Sequence, residues 1–166
     1  PPATGPTAPA TTEPSADMRE WTLTTAGWGP VSLGSPLPEA LRGQLKPSWE
    51  CIGPIIKDHQ GNERMEFFTG QPDGSGRINT LHIVSPDIAT RSGIRQGDSL
   101  AKLQQAYPNL ERFESNADRP GDVHVLRDGA NGLFFEMEPE TNTVEHISVQ
   151  PMSAFYPFRF QICGSP

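Results

Sequence analysis

Two stretches decide the fold: Gly29-Pro-Val-Ser-Leu-Gly34-Ser-Pro-Leu-Pro-Glu-Ala40-Leu41, and later Ser92-Gly-Ile-Arg-Gln-Gly97-Asp-Ser-Leu-Ala-Lys-Leu103. Aligning Gly34 with Gly97 places Val31 on Ile94, Ser35 on Asp98, Leu37 on Leu100 and Ala40 on Leu103. In the second stretch Asp98 or Ser99 can cap the free amides of a first helical turn. Leu100, Leu103 and Tyr107 then recur as one apolar face until Pro108 stops the helix. In the first, the same logic makes Ser35 the cap and Pro36 the first helical residue, with Leu37, Ala40 and Leu41 facing inward until Gly43.

Working outward, each glycine-led helix is followed by β-rich segments separated by turn formers. After the first come 51–57, the turn Asp58-His-Gln-Gly-Asn62, 64–69, the turn 70–76, and 78–85. After the second come 123–127, the turn Asp128-Gly-Ala-Asn-Gly132, 133–138, the turn Pro139-Glu-Thr-Asn142, and 143–149. Each set reads as an antiparallel meander. Leu133, Phe135 and Met137 share one face of their strand, and Phe134, Glu136 and Glu138 the other. A last segment alternates too, with Tyr156, Phe158, Phe160 and Ile162 on one face, while Pro157 confines it to an edge or bulge. The expected architecture is α+β: two tandem helix-plus-meander units, about 21–85 and 86–163, forming one domain over 18–166 with helices packed on one face of the sheet. The other face, free in such an arrangement, is the expected recognition surface.

Composition narrows the functional classes. The balance of 13 basic to 20 acidic residues gives a net charge of −7, and the basic residues are scattered, so a nucleic-acid or anionic-membrane partner is excluded from expectation. No apolar run is long enough to span a bilayer. Residues 1–16 are almost wholly Pro, Ala, Thr, Gly and Ser, which cannot bury enough apolar surface to order; the expectation for 1–17 is a flexible tail of the kind that stalks exported bacterial domains. No initiator methionine and no signal-peptide h-region open the chain, so the expectation is a processed or a trimmed chain. Cys51 and Cys163, the two cysteines, lie in opposite halves, and in an exported chain they are expected to be bridged, closing a loop worth about 4 to 5 kcal/mol in the chain-entropy picture.

Several constellations invite a chemical reading. Gly97-Asp98-Ser99-Leu100 spells the block of the GDSL esterases and lipases, a resemblance that implies Ser99 as nucleophile. The base-supplying DxxH box of that family is absent, since no Asp stands three before His59, His82, His124 or His146, and a serine without a positioned base is inert. The segment from Ser85 to Asp98 resembles the part of PDZ domains where a small helix precedes Gly-Leu-x-x-Gly-Asp. That likeness implies capture of peptide C-termini by strand addition, yet the carboxylate loop is missing and 99–107 reads as helix. None of the histidines has a Cys, His or Asp at a ligand spacing, so no metal is expected. Asp73-Gly-Ser-Gly76 reads as a turn rather than a calcium loop. Glu136, Glu138, Glu140 and Glu145 could supply a glycosidase carboxylate pair but fit a solvated sheet face and turn better. Trp28, Trp49 and the face of Tyr156, Phe158 and Phe160 could form a ligand platform, although aromatics at strand spacing more often fill a core.

The phrase Gly93-Ile-Arg-Gln-Gly97-Asp-Ser-Leu-Ala-Lys-Leu-Gln-Gln-Ala-Tyr-Pro108 resembles one carried by uncharacterised exported proteins and lipoproteins of actinobacteria. More distantly, the duplicated helix and sheet unit is similar to β-lactamase inhibitory protein and to small outer-membrane-assembly lipoproteins, with Ser35 or Asp98 where those have Met. The resemblance implies a scaffold for protein contact with no active site and no cofactor. The expectation is therefore a non-enzymatic extracytoplasmic binding domain, held at the cell surface by a lipid anchor upstream and meeting a protein or cell-envelope component. A GDSL-type serine hydrolase using Ser99 and a PDZ-like peptide binder are the alternatives.

Overall fold

Residues 17–47, 53–71, 73–117 and 120–154 are described by the structure, a computed structural model. In chain order the strands are β1 (Leu23–Thr24), β2 (Gly27–Trp28), β3 (Val31–Ser32), β4 (Leu45–Lys46), β5 (Ile55–Lys57), β6 (Glu63–Phe68), β7 (Thr80–Ile83), β8 (Glu111–Phe113), β9 (Val123–Asp128), β10 (Asn131–Met137) and β11 (Val144–Pro151). The first three form a small antiparallel sheet, and the other eight form an antiparallel sheet ordered β4-β5-β6-β7-β11-β10-β9-β8. That order runs inward from each edge in chain sequence, β4 to β7 and β8 to β11, and the two runs meet at the β7–β11 pair.

This architecture is mostly β, and the expected α+β layering with helices on one sheet face is not what forms. Proline chemistry explains the first half. Leu37 precedes Pro38, which disfavours the helical region at Leu37 and with it a helix starting at Pro36. What forms instead is a six-residue 3-10 helix, Glu39–Gln44, with no side-chain cap, while Ser35 stays in a turn. Its buried residue is Leu41 and Ala40 is exposed, so Leu41 rather than Ala40 answers to the buried Leu103. In the second half the helix does form as α1 (Leu100–Ala106), with Ser99 Oγ accepting from the Lys102 amide at 3.1 Å. It is seven residues long because Pro108 follows, too short to make a layer.

The two glycines make matched corners. Gly34 N donates to Ile78 O at 2.7 Å and Ile78 N donates to Ser35 O at 2.9 Å; Gly97 N donates to Val144 O and Val144 N to Asp98 O, each at 2.8 Å. Both glycines have positive φ, 84° and 94°, a conformation that side chains disfavour. Through these corners the chain ahead of each helix is laced to the start of a central strand, since Ile78 lies just before β7 and Val144 opens β11.

Alternation then sorts the large sheet. One face carries Met65, Phe67, Leu81, Ile83, Ile147, Val149, Leu133 and Phe135, packed under Met18, Leu23, Trp28, Val31, Leu37, Leu41, Ile88, Ile94 and Leu103 in one apolar cluster. What covers this face is β1–β3, the loops and the short helical turns. On the opposite face, register aligns Glu66, His82, Ser148, Phe134 and Val125 across five strands. These residues are buried too, as are Arg64, Thr80, Glu136 and Gln150 beside them, so the expectation of a free recognition face on the sheet is overturned. The aromatic segment 155–162 and Trp49 fall outside the described residues, as do the tail and both cysteines.

The one-residue difference between Ala40 and Leu41 is measurable. Leu41→Ala should cost about 2–5 kcal/mol in urea unfolding, as large-to-small core substitutions do, whereas Ala40→Ser should stay within about 0.5 kcal/mol; equal costs would mean the inward register is wrong.

Candidate ligand cleft and buried polar network

The residues singled out by motif have structural duties. Ser99 caps α1, and no hydrogen bond joins its hydroxyl to a histidine among the described residues. Asp98 closes the corner before it, accepting from Arg95 N at 2.8 Å. The chain after Gly97-Asp98 enters α1 rather than a strand, unlike a PDZ domain. Asp73 accepts from the Ser75 amide and hydroxyl in a tight turn. Glu138 accepts from the amides of Glu140 and Thr141, which holds its carboxyl below the usual range and fixes it as a turn acceptor. Glu140 lies exposed in that turn, Glu145 is half-buried on β11, and Glu136 is buried on β10. No group of three metal-ligating side chains occurs among the described residues.

The structure brings together one set that sequence reading left apart. Glu66 and His82 are cross-strand partners on β6 and β7, and the Glu66 carboxyl lies 3.6 Å from His82 Nδ1. His82 Nε2 approaches His146 Nδ1 at 3.4 Å across the β7–β11 pair, and His146 is itself opposite Glu136. The second Glu66 oxygen accepts from Gly53 N at 2.6 Å. Burial pushes Glu66 up to about 7, against the opposing pull of the Gly53 amide, and burial pushes His82 down to about 3. Both shifts favour neutral forms, as expected where desolvation outweighs attraction. Arg64, two residues from Glu66 on the same face, is buried and donates to Ser85 Oγ and Asp87 Oδ1 at 3.0 and 2.8 Å. The spacing signal was invisible in the sequence because the pairing depends on register across three strands.

Solvent reaches a different place. An open cleft of about 370 Å³ lies at the small sheet, lined by Glu20, Trp21, Thr22, Thr24, Ala26, Gly27, Gly29, Ser32 and Arg91. Its wall is built locally. The 3-10 turn Met18–Glu20 buries Met18 and delivers Trp21, whose amide donates to Met18 O. The indole then lies on the backbone of Gly29, where an added Cβ would collide with the ring; glycine with φ 55° is what permits this approach. Trp28, fully buried, meets the same ring edge-on at 4.7 Å and 74°. Trp21 is thus half-buried and held from two sides. Arg91 arrives from far along the chain because Leu23 N donates to Ala89 O at 2.9 Å and Arg91 N to Leu23 O at 3.0 Å.

The polar lining is uncommitted. Thr24 Oγ1 accepts from Ala26 N in the β1–β2 turn, but the side chains of Glu20, Thr22, Ser32 and Arg91 make no hydrogen bond or ion pair with any described residue. Glu20 and Arg91 therefore offer one acceptor and one donor fork in the same cleft without neutralising each other. Sequence reading singled out Trp28 and Trp49 as a possible platform and passed over Trp21, since nothing near Trp21 in the chain announces Gly29 beneath it or Arg91 beside it.

No family model matches the chain, and no curated protein matches it. Among solved structures, the chain is similar to an extracellular protein containing an SCP domain from Bacillus anthracis, at 8% identity and a TM-score of 0.47, over 96% of this chain and 59% of that one. The chain therefore spans less than two thirds of that structure, at a likeness too low to transfer fold or function. No helix among the described residues is long and apolar enough to cross a membrane.

The buried network fixes a pH response. Glu66, with its folded pKa raised, holds its proton in the native state, so its contribution is intact below about 4.5 and is lost as pH rises through about 7. His82, with its folded pKa depressed, contributes above about 6.5 and loses that contribution as pH falls toward about 3. Between about 4.5 and 6.5 the two slopes oppose and the native protein should show a flat stability profile. Glu66→Gln should leave the His82 slope alone: relative to the parent, the variant gains about 3 kcal/mol between pH 4.5 and 8, read by urea unfolding at each pH. Parallel pH profiles for the two proteins would remove Glu66 as a buried titrating group.

Proposed function

We propose that the chain is a non-enzymatic binding domain working outside the cytoplasm, tethered to the cell surface through its N-terminal Pro/Thr/Ala segment and presenting the Trp21 cleft to a protein or cell-envelope component. The observation that carries this reading is the cleft: an aromatic ring held on a glycine backbone, flanked by four polar side chains with no partner among the described residues. Concave sites with an aromatic wall and a few convergent polar groups are where small ligands bind. The capping duty of Ser99 supports a binder over a serine hydrolase, because a side-chain oxygen committed to an amide of α1 leaves no need for a nucleophile at that position.

Export is supported by the tail composition and by the resemblance of Gly93 to Pro108 to exported actinobacterial proteins and lipoproteins. A lipidated cysteine upstream of Pro1 is the anchor this reading calls for. Cys51 and Cys163 are then bridged. Reduction of the intact, non-alkylated protein should raise its mass by the two thiol hydrogens; free thiols at both positions would count against an extracytoplasmic home.

Binding has its own check. The full chain should co-sediment with isolated cell-wall material, and Trp21→Phe, which trims the indole while keeping a ring on Gly29, should weaken that co-sedimentation several-fold with the fold intact by near-UV circular dichroism. A fluorophosphonate probe should leave Ser99 unlabelled. Labelling at Ser99 would replace the binder with a hydrolase.

A further inference from the structure

We infer that the cleft is a subsite for a pyranose sugar bearing a carboxylate, an inference that rests on the binding-domain reading above and names its ligand. Size comes first. At about 370 Å³ and open on one side, the cleft sits near the lower end of the roughly 300–1,000 Å³ typical of small-ligand sites, which suits one or two sugar rings. Chemistry comes second. A pyranose has a flat C–H face and a rim of hydroxyls that both donate and accept. Half-buried Trp21 lines the cleft and supplies aromatic surface there, and because Gly29 and Trp28 already fix the ring, little side-chain entropy is lost on binding.

The rim fits the hydroxyls. Glu20 only accepts, Arg91 only donates, and Thr22 and Ser32 do either, so the lining can satisfy groups of both kinds around one ring. Arg91 carries the acid specificity, since a guanidinium grips a carboxylate through a bidentate fork and, among the described residues, no carboxylate occupies that fork. One arginine in a chain of net charge −7 suits a single carboxylate and not a polyanion.

A peptide added as a strand fits less well. The main chain of Leu23 on β1 is already bonded to Ala89 and Arg91, and β2 is paired on both sides, by β1 and β3. Those strands leave no ladder to extend.

The test titrates the full chain with methyl galacturonide, which carries one carboxylate, with the neutral methyl galactoside and with a tripeptide having a free C-terminus, read by calorimetry. The galacturonide should bind about tenfold or more tighter than the galactoside. Arg91→Gln, an exposed change that cannot disturb the core, should erase that difference, and Trp21→Phe should weaken both sugars. Equal affinity for the two sugars, indifferent to Arg91→Gln, would overturn the carboxylate assignment. Failure of both sugars would overturn the sugar inference altogether. If cell-wall co-sedimentation then still depends on Trp21, or the tripeptide binds in an Arg91-dependent way, the cleft remains a binding site for another class. If neither does, the binding-domain reading falls with it.

Discussion

The paired hydrogen bonds from each glycine corner to a central strand hold this fold in one piece. A short sheet, loops and a few helical turns cover the large sheet, and none of these can form alone: strands of two residues and a seven-residue helix lack the local stability to persist in water. Gly34 and Gly97 anchor that cover by exchanging amide and carbonyl bonds with Ile78 and Val144, next to the β7 and β11 strands at the centre of the sheet. Positive φ at both turns the chain sharply enough to place Val31 and Ile94 on the core and to send Leu41 and Leu103 back onto it. Backbone geometry thus fixes the cover in register, and apolar burial of roughly 25 cal/mol per Å² holds it there.

The second face of the sheet is under a different constraint. Arg64, Glu66, His82, Glu136, Ser148 and Gln150 are buried on the face that also carries Val123, Val125 and Phe134, and charged forms there must be matched or given up. Arg64 is paired at 2.8 Å with Asp87, which answers it from a more exposed position. Glu66 and His82 instead move toward neutrality, each for the same reason of burial. Such a face specifies register well, since sliding β7 by one residue would put His82 into the apolar core and Leu81 among the polar groups. It is poor material for recognition, being already occupied with its own contacts.

Much of the sheet was legible in the sequence. The meander strands β5, β6, β7, β9, β10 and β11 follow from alternation between Gly, Asp, Asn and Pro turns, and the split of Leu133, Phe135 and Met137 from Phe134 and Glu136 is the observed one. The edges were not, because β4 and β8 are two and three residues long and β1 to β3 two each, below any periodic signal. The first helix misled for a definable reason: the cap and Pro36 read correctly in isolation, but Pro38 disfavours helical geometry at Leu37, a local steric term that apolar spacing does not contain. The cleft was illegible for another reason. Trp21 reaches Gly29 through a 3-10 turn, and Arg91 joins them through the parallel contact of Leu23 with Thr90, neither of which a motif encodes.

That contact also helps place the cleft. With both faces of the large sheet buried, the cleft lies in the covering layer, at the small sheet. A site in such a layer would be loose if it rested on the local strands alone. Here Trp28 and Val31 of the small sheet are fully buried in the main cluster, and Leu23 is tied to the chain leading into the Gly97 corner. The ring of Trp21 therefore inherits its position from the core through Trp28, and the backbone of Arg91 inherits its position from the buried Leu23. The aromatic wall is thus preorganised by how the cover is fastened, while the Arg91 side chain reaches out from a fixed backbone.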